Sequence, residues 1–392
     1  MSKGLSVPIP CARISYGKKD ISTDLAPYLL GLTFVDHLSG ESDELDLRLE
    51  DADGRWRGPW YPGKGDSLTL EIGYEGGPML PCGTLEIDEI NWSFPPDEVG
   101  IRALGTGISI PSRTRKSQGY EKTNLASVVR AVAGRLGLTP AGEVADIPID
   151  RVTQYQETDL AFLKRLAEEY GHTFKIAGSR CIFQHKDGIV AADSVKTLEV
   201  QDCTGGSARD KLKDIPSKVR VKKQDAASKS LKVYGQTSDG KLAVVGTNEA
   251  ERQKKGQESR KTSGDELKIC GRGTQAQLAA KGKAALADAE LSRVAITLTL
   301  YGDPTLTAGL SVDLGSSFGA FGGKYLIKRA SHTITRDGGY VTEIELCKSG
   351  AAGTANDKKA KGKTTGNALK VYGQNADGKL AVVGTSVQEQ KK

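Results

Sequence analysis

The sequence predicts a mainly β protein with an α+β insert: two β-barrel domains separated by a small α/β domain. Three observations predict this class. Apolar residues alternate with period 2 through residues 1–110 and 194–350, with turn residues roughly every 8–12 positions. One strongly amphipathic helix, within Arg151 to Ile176, interrupts that pattern. Glycine makes up 47 of the 392 residues while aromatics make up 6%, which suits many turns between short strands.

In the first domain (1–110), LDLRLED places Leu45, Leu47 and Leu49 on one face, and SLTLEIGY does the same with Leu68, Leu70, Ile72 and Tyr74. TLEIDEINWSF alternates Leu85 and Ile87, then Ile90, Trp92 and Phe94; the break of phase at Asp88–Glu89 predicts a bulge. Pro95-Pro96-Asp97 turns the chain, and Val99, Ile101 and Ala103 return on a further strand. The Gly/Pro-rich loop WRGPWYPGKGDSL carries Trp56, Trp60 and Tyr61. These three form either an exposed contact surface or a cover packed over the mouth of the barrel.

The insert (111–193) opens with a polar connection, PSRTRKSQGYEKTN, and a short helix capped by Asn124 with Leu125, Val128, Val129, Val132 and Leu136 on its apolar side. Its main helix has Thr158 as N-cap, whose hydroxyl accepts from a free N–H of the first turn, and Asp159 where negative charge suits the helix dipole. Leu163, Leu166, Ala167 and Tyr170 form one apolar stripe, and Gly171 is placed for a left-handed cap. HTFKIAG and RCIFQHKDG then read as two strands.

The second domain (194–350) contains a strand in SKVRVKK, a basic hairpin insert at 224–268, and an Ala-rich helix from Thr274. VAITLTLYGDPTLTAGLSVDLG reads as a strand pair, with Val294, Ile296, Leu298 and Leu300 answered by Leu310, Val312 and Leu314 across a Gly302-Asp303-Pro304 turn. A hairpin follows around Asp337-Gly338-Gly339. Residues 351–392 begin with the low-complexity linker AAGTANDKKAKGKTTGN and end in a repeat. LKVYGQTSDGKLAVVGT at 231–247 recurs as LKVYGQNADGKLAVVGT at 369–385, identical at fifteen of seventeen positions. Each copy reads as a β-hairpin with an Asp-Gly turn, Asp239-Gly240 and Asp377-Gly378, and carries one tyrosine, Tyr234 or Tyr372. A lone hairpin is marginal in water, so each copy needs a strand to pair with.

The net charge of +6 is uneven. Residues 211–268 carry a net +7 and residues 351–392 a net +5, which leaves the remainder near −6. Such runs describe a solvated face or a surface for an acidic partner. The six cysteines are widely and irregularly spaced and the four histidines have no metal-ligand spacing, so neither a metal nor a disulfide framework is expected. There is no G-x-S-x-G elbow and no phosphate-binding loop, and His332 reads as structural. No catalytic, cofactor-binding or metal residue is assigned, and no enzyme is expected. No run of about 18 apolar residues and no uninterrupted apolar leader core is present, so neither membrane insertion nor secretion is expected.

QYQETDLAFLKRLAEEYGHTFKI resembles the signature of the late control gene D protein family, the baseplate hubs of contractile phage tails, which is similar to the hub domain of VgrG spike proteins. The pattern Q-x-x-E-[ST]-D-x-x-F-[LI]-x-R-L-A-x-x-x-G is carried by Gln156 or Gln154, Glu157, Thr158, Asp159, Phe162, Leu163, Arg165, Leu166, Ala167 and Gly171. YPGKGDSL, LTLYGDPTLTAGLSVDLG and GKYLIKRASHTI…GGYVTEIEL stand in the family's order around it, so the resemblance covers about residues 5–348. The basic hairpin insert and the tail from 351 depart from it.

The resemblance implies tail-hub barrels and a structural role as a homotrimer, with two barrels per chain forming a ring of six that adapts a sixfold tail tube to a threefold central spike. The implied setting is the baseplate of a phage tail or of a phage-tail-like, pyocin-like bacteriocin particle, assembled in the bacterial cytoplasm. The implied partners are the spike, the tube or its initiator and other baseplate proteins, with the tape measure as a further candidate; nucleic acid would only pass through the channel. No cofactor is implied. The structural or interaction candidates are Glu157, Thr158, Asp159, Phe162, Arg165, Trp56, Trp60, Tyr61, Tyr234 and Tyr372. Asp159, Arg165 and Glu168 read as helix capping and as contacts between hub chains. The rival functions are a cell-wall-degrading tail-tip enzyme and a carbohydrate-binding β module acting through Trp56, Trp60 and Tyr61.

Overall fold

The computed structural model describes residues 8–105, 114–211, 218–225, 230–236, 242–247, 266–270, 273–348, 369–374 and 380–386. They fall into two units, Met1–Gly350 and Ala351–Lys392.

The first β region contains β1 (Pro10–Tyr16), β2 (Lys19–Asp20), β3 (Leu29–His37), β4 (Glu44–Glu50), β5 (Ser67–Tyr74), β6 (Met79–Ser93) and β7 (Glu98–Leu104), antiparallel in the order β2-β1-β5-β6-β7-β4-β3. Its core is the alternating set the sequence indicates: Leu45, Leu47 and Leu49 face Leu68, Leu70, Ile72, Leu85, Ile87, Val99, Ile101 and Ala103, all buried. The ladder between β6 and β7 slips at Ile87/Glu89, where the bulge is expected. Trp92 and Phe94 do not join the core; they are 44% and 63% exposed. The 15-residue β6 outruns the apolar layer, so these rings stack on each other at 4.2 Å and the Arg57 guanidinium covers Trp92 at 4.4 Å.

The insert contains β8 (Arg115–Asn124), the helix Leu125–Arg135, β9 (Thr139–Ala141), β10 (Pro148–Thr158), the signature helix Asp159–Tyr170, β11 (His172–Ala177) and β12 (Arg180–His185). Asn124 Oδ1 accepts from Ser127 N at 2.9 Å, and Gly171 closes the signature helix at φ 71°. The polar connection expected after residue 110 is in part a strand: β8 pairs with β10 along its length. Its side chains are nearly all polar, so alternation gave no signal there. β11 pairs antiparallel with β12, which pairs in parallel with β9.

The second β region is built from β13 (Ser194–Leu198), β14 (Cys203–Asp210) and, after a basic four-stranded sheet, β19 (Val294–Tyr301), β20 (Ser311–Leu314), β21 (Gly323–Thr335) and β22 (Gly339–Lys348). The basic sheet comprises β15 (Lys218–Asp225), β16 (Ser230–Gln236), β17 (Leu242–Thr247) and β18 (Glu266–Cys270), in the order β17-β16-β15-β18. The tail unit holds β23 (Leu369–Gln374) and β24 (Leu380–Ser386). The Asp-Gly turns of both hairpins lie outside the described residues.

The expected strand pair 294–314 does not form. β19 lies between β14 and β22, whereas β20 pairs with β13 and β21. Alternation marks the buried face of a strand and says nothing of its neighbour; both strands do face one core, with Leu306 buried between them. The helix Gln275–Leu291, capped by Thr274, packs on the insert rather than on this core. Gln277 Nε2 donates to Tyr170 Oη at 3.4 Å and Lys281 pairs with Glu169 at 2.7 Å.

β21 fuses the two β regions. Its first residues, Gly323–Leu326, pair with β20, and Arg329–Thr335 pair with His37–Gly31 of β3. Its other edge holds β22. The base of the β21–β22 hairpin therefore fills the second core through Tyr325, Ile327 and Ile344, while its tip fills the first through Ile334 and Tyr340. Between them His332 is fully buried. Its Nε2–H donates to the Leu306 carbonyl at 3.0 Å and its Nδ1 accepts from Tyr340 Oη at 2.8 Å, which fixes a neutral ring.

Asp36 on β3 ties all three regions. Its Oδ2 accepts from Ala308 N of the second β region at 2.9 Å, and its Oδ1 accepts from Lys175 Nζ of β11. Lys175 also pairs with Asp43 at 2.9 Å. Burial opposes the Lys175 charge, but the two carboxylates outweigh it and hold the ammonium above its ordinary range. Breaking a buried pair leaves an uncompensated charge, so Asp36→Ala is expected to destabilise the 1–350 unit by about 3–5 kcal/mol in urea unfolding. A loss under about 1 kcal/mol, the size typical of an exposed pair, would contradict this placement.

Candidate interaction site

The signature residues converge on one buried polar node. The β10 ladder slips between Gln154 and Glu157, with Gln156 at φ 48° in the bulge. The slip leaves Gln156 exposed and Gln154 fully buried, so Gln154 is the glutamine that enters the node. Gln154 Nε2 donates to the Glu157 carbonyl and to Asp159 Oδ1, both at 3.0 Å, and its Oε1 accepts from Arg135 at 3.0 Å. Asp159, also fully buried, accepts from Lys116 at 2.8 Å and Arg135 at 2.5 Å. Thr158 Oγ1 accepts from Ala161 N at 3.2 Å, as a cap should. Arg165 clamps Glu157 at 2.6 Å and Glu169 at 3.0 Å, donates to the Thr153 carbonyl at 3.0 Å, and lies 5.2 Å from the Phe162 ring centre. Tyr120 stacks on Phe162 from β8.

Of the structural and interaction candidates, two lie wholly inside the chain. Asp159 and Phe162 have no exposed surface, so they serve the inside of the chain and cannot contact another. A charged helix start looks like a surface feature until its partners are known, and those partners, Lys116 and Arg135, lie 43 and 24 residues away. The amphipathic pattern around Arg135 marked it only as the polar side of a helix. Glu157, Thr158 and Arg165 remain partly exposed at the edge of the node.

Burial alone would raise the Asp159 carboxyl, but hydrogen bonds from Lys116, Gln154 and Arg135 hold it below the ordinary carboxylate range. A depressed carboxylate stabilises the fold above its unfolded value, near 3.9, and that stability is lost as pH falls through the folded value. Asp159→Asn is therefore expected to cost about 3 kcal/mol at pH 7, with the two unfolding curves converging in acid. Parallel curves across that range would contradict it.

His172 supplies a second pH dependence. Its Nδ1–H donates to the Tyr170 carbonyl at 2.8 Å, and its Nε2 accepts from Ala145 N at 3.1 Å, so the ring is neutral. Burial first, then the neighbouring His185, lowers it from 6.5 to about 4. Stability present above the unfolded value should fall by up to about 3 kcal/mol as pH drops from 6.5 to 4. In His172→Phe that slope should flatten by up to one proton; an unchanged slope would assign it elsewhere.

The loop aromatics differ in burial. Trp56 is buried in the first core, its backbone N–H donating to the buried Asp51 carboxylate at 2.8 Å, which Arg57 also binds at 2.7 Å. Trp60 packs edge-on to Trp56 at 5.3 Å. Trp60 and Tyr61, 45% and 55% exposed, border a pocket of about 390 Å³ with Leu47, Leu49 and Ile101 at its floor. Tyr234 stands opposite Val221 and Val244, and Tyr372 opposite Val382. Among the described residues no group of three or more His, Cys, Asp or Glu could hold a metal ion, and no helix is long and apolar enough to cross a membrane.

Residues 108–338, which contain the node, match the model of the phage tail baseplate hub (GPD) family. The chain belongs to that family. It is 31% identical over 176 residues to the "Probable baseplate hub protein" of Escherichia phage 186, covering 44% of each chain. It is 32% identical over 184 residues to that of Escherichia phage P2, covering 46% of this chain and 47% of that one. The aligned part thus spans about half the length of the curated relatives. The fold of this hub is shared more widely. A tail protein from Neisseria meningitidis MC58 superposes with a TM-score of 0.63 at 12% identity, over 87% of this chain and 97% of the other. The 43 kDa tail protein of prophage MuSo2 from Shewanella oneidensis gives 0.57 at 14% identity, over 86% and 96%.

Proposed function

We propose that this baseplate hub is a homotrimeric symmetry adaptor of a contractile tail or pyocin-like particle, joining a sixfold tail tube to a threefold central spike. The observation that carries the reading is the fusion of two β cores into one sheet through β3 and β21. A chain with two β units in a fixed relation offers two similar surfaces, and three such chains offer six. A closed ring of this kind needs heterologous contacts whose rotation closes. The work is mechanical: it nucleates assembly, matches symmetries and lines a channel through which nucleic acid, where the particle carries it, would pass. The spike, the tube or its initiator and other baseplate proteins are the partners this assigns, with assembly in the bacterial cytoplasm.

The reading is tested by the native mass of the purified full chain. Three times the 41.7 kDa chain mass is expected. A chain that stays monomeric at assembly concentrations and is missing from purified particles would overturn the proposal.

A further inference from the structure

The two copies of the repeat are the same hairpin in backbone terms as well. In the first, Lys232, Val233, Tyr234, Gly235 and Gln236 pair with Thr247, Gly246, Val244, Ala243 and Leu242. In the second, Lys370, Val371, Tyr372, Gly373 and Gln374 pair with Thr385, Gly384, Val382, Ala381 and Leu380. The register and the bulge after valine are identical. The two sequence differences, Thr237 against Asn375 and Ser238 against Ala376, lie outside both strands.

The surroundings of the two hairpins differ. The edge of β16 away from β17 holds β15, KVRVKKQD, antiparallel from Arg220↔Gly235 to Asp225↔Ser230. Among the described residues, β23 pairs with β24 alone, so the equivalent edge of the tail hairpin holds no strand. Two strands alone are marginal, and a third strand completes a stable sheet. Among the described residues the first copy has that strand and the second does not.

We infer that the outer edge of β23 is a strand-docking site for an extended segment of another protein with the chemistry of the part of β15 that pairs with the first copy, basic and polar residues about one β-branched residue (Arg220, Val221, Lys222, Lys223 and Gln224), entering antiparallel opposite Leu369–Gly373. Adding a strand supplies affinity through main-chain hydrogen bonds and specificity through alternate side chains. The occupant is assigned to another protein because β15, the matching strand of this chain and of a second copy, has no free edge. β15 is already held on both edges, by β16 and β18. A tail hairpin could reach it only by displacing a hairpin with the same strands, which gains no pairing. That the partner is a tail component rests on the hub reading above; the strand chemistry does not.

The test uses a labelled synthetic peptide spanning residues 216–227, which contains β15, against the full chain, with binding read by fluorescence anisotropy. It should bind the full chain about tenfold or more tighter than a chain lacking 369–386. A peptide of equal charge carrying Val219→Pro and Val221→Pro, which cannot complete the ladder, should bind the full chain as weakly as the peptide binds the deletion. No binding to the full chain, or equal binding to the deletion, would overturn the inference. A companion mixture pairs chains carrying Leu369→Cys with chains carrying Gln224→Cys, the in-register positions. Absence of a 224–369 disulfide after oxidation is expected. Its formation would show that a second copy supplies the strand and would overturn the assignment to another protein. Because the peptide arms do not depend on the native mass, a trimer without peptide binding would sink this inference alone.

Discussion

Asp36 is the contact on which the architecture most depends. It sits on β3, receives the ammonium of Lys175 from the insert and the amide of Ala308 from the second β region, and is nearly buried. Three segments far apart in sequence are thus fixed by one carboxylate. A buried charge of this kind contributes little net stability when paired and costs several kcal/mol when any partner is removed. It therefore acts on specificity: arrangements of the three regions that fail to satisfy Asp36, Asp43 and Lys175 together are disfavoured. The same logic applies at His332, whose Nδ1 is satisfied by Tyr340 within the β21–β22 hairpin but whose Nε2 is satisfied by the Leu306 carbonyl of the second β region.

The signature node repeats that design inside the insert. Gln154, Asp159 and Arg135 join the end of β10, the start of the signature helix and the end of the preceding helix, while Arg165 holds the Glu157 side of the bulge. The motif is thus a packing instruction written in polar residues, and its buried members have no surface left for contacts. The polar junctions fix the elements of the insert against one another.

Much of this was legible in the sequence. Strict alternation located the buried faces of β4, β5 and β7, and the caps at Asn124, Thr158 and Gly171 located the helices, because these signals are local. What failed was non-local. Nothing in VAITLTLY or GLSVDL tells which strand lies beside it, so the pair expected there does not form. β8 was missed because its strand is held by ladder bonds rather than apolar alternation. Trp92 and Phe94 kept the phase of a core strand while leaving the core, because alternation does not show where a layer ends. At the site, Thr158 could be placed from its neighbours, but Asp159 could not, since its partners lie on other elements. The repeat was visible in sequence; that, among the described residues, only the first copy has a third strand required the pairing.

The central claim is that one chain supplies two β units in fixed relation and that three chains close the ring. A reconstruction of the assembled baseplate at a resolution that separates strands tests it most directly. The account predicts a ring of six β units of two alternating kinds, each adjacent pair in one chain bridged by β3 and β21. Six copies of the chain in the ring, or a single kind of unit repeated six times, would contradict it.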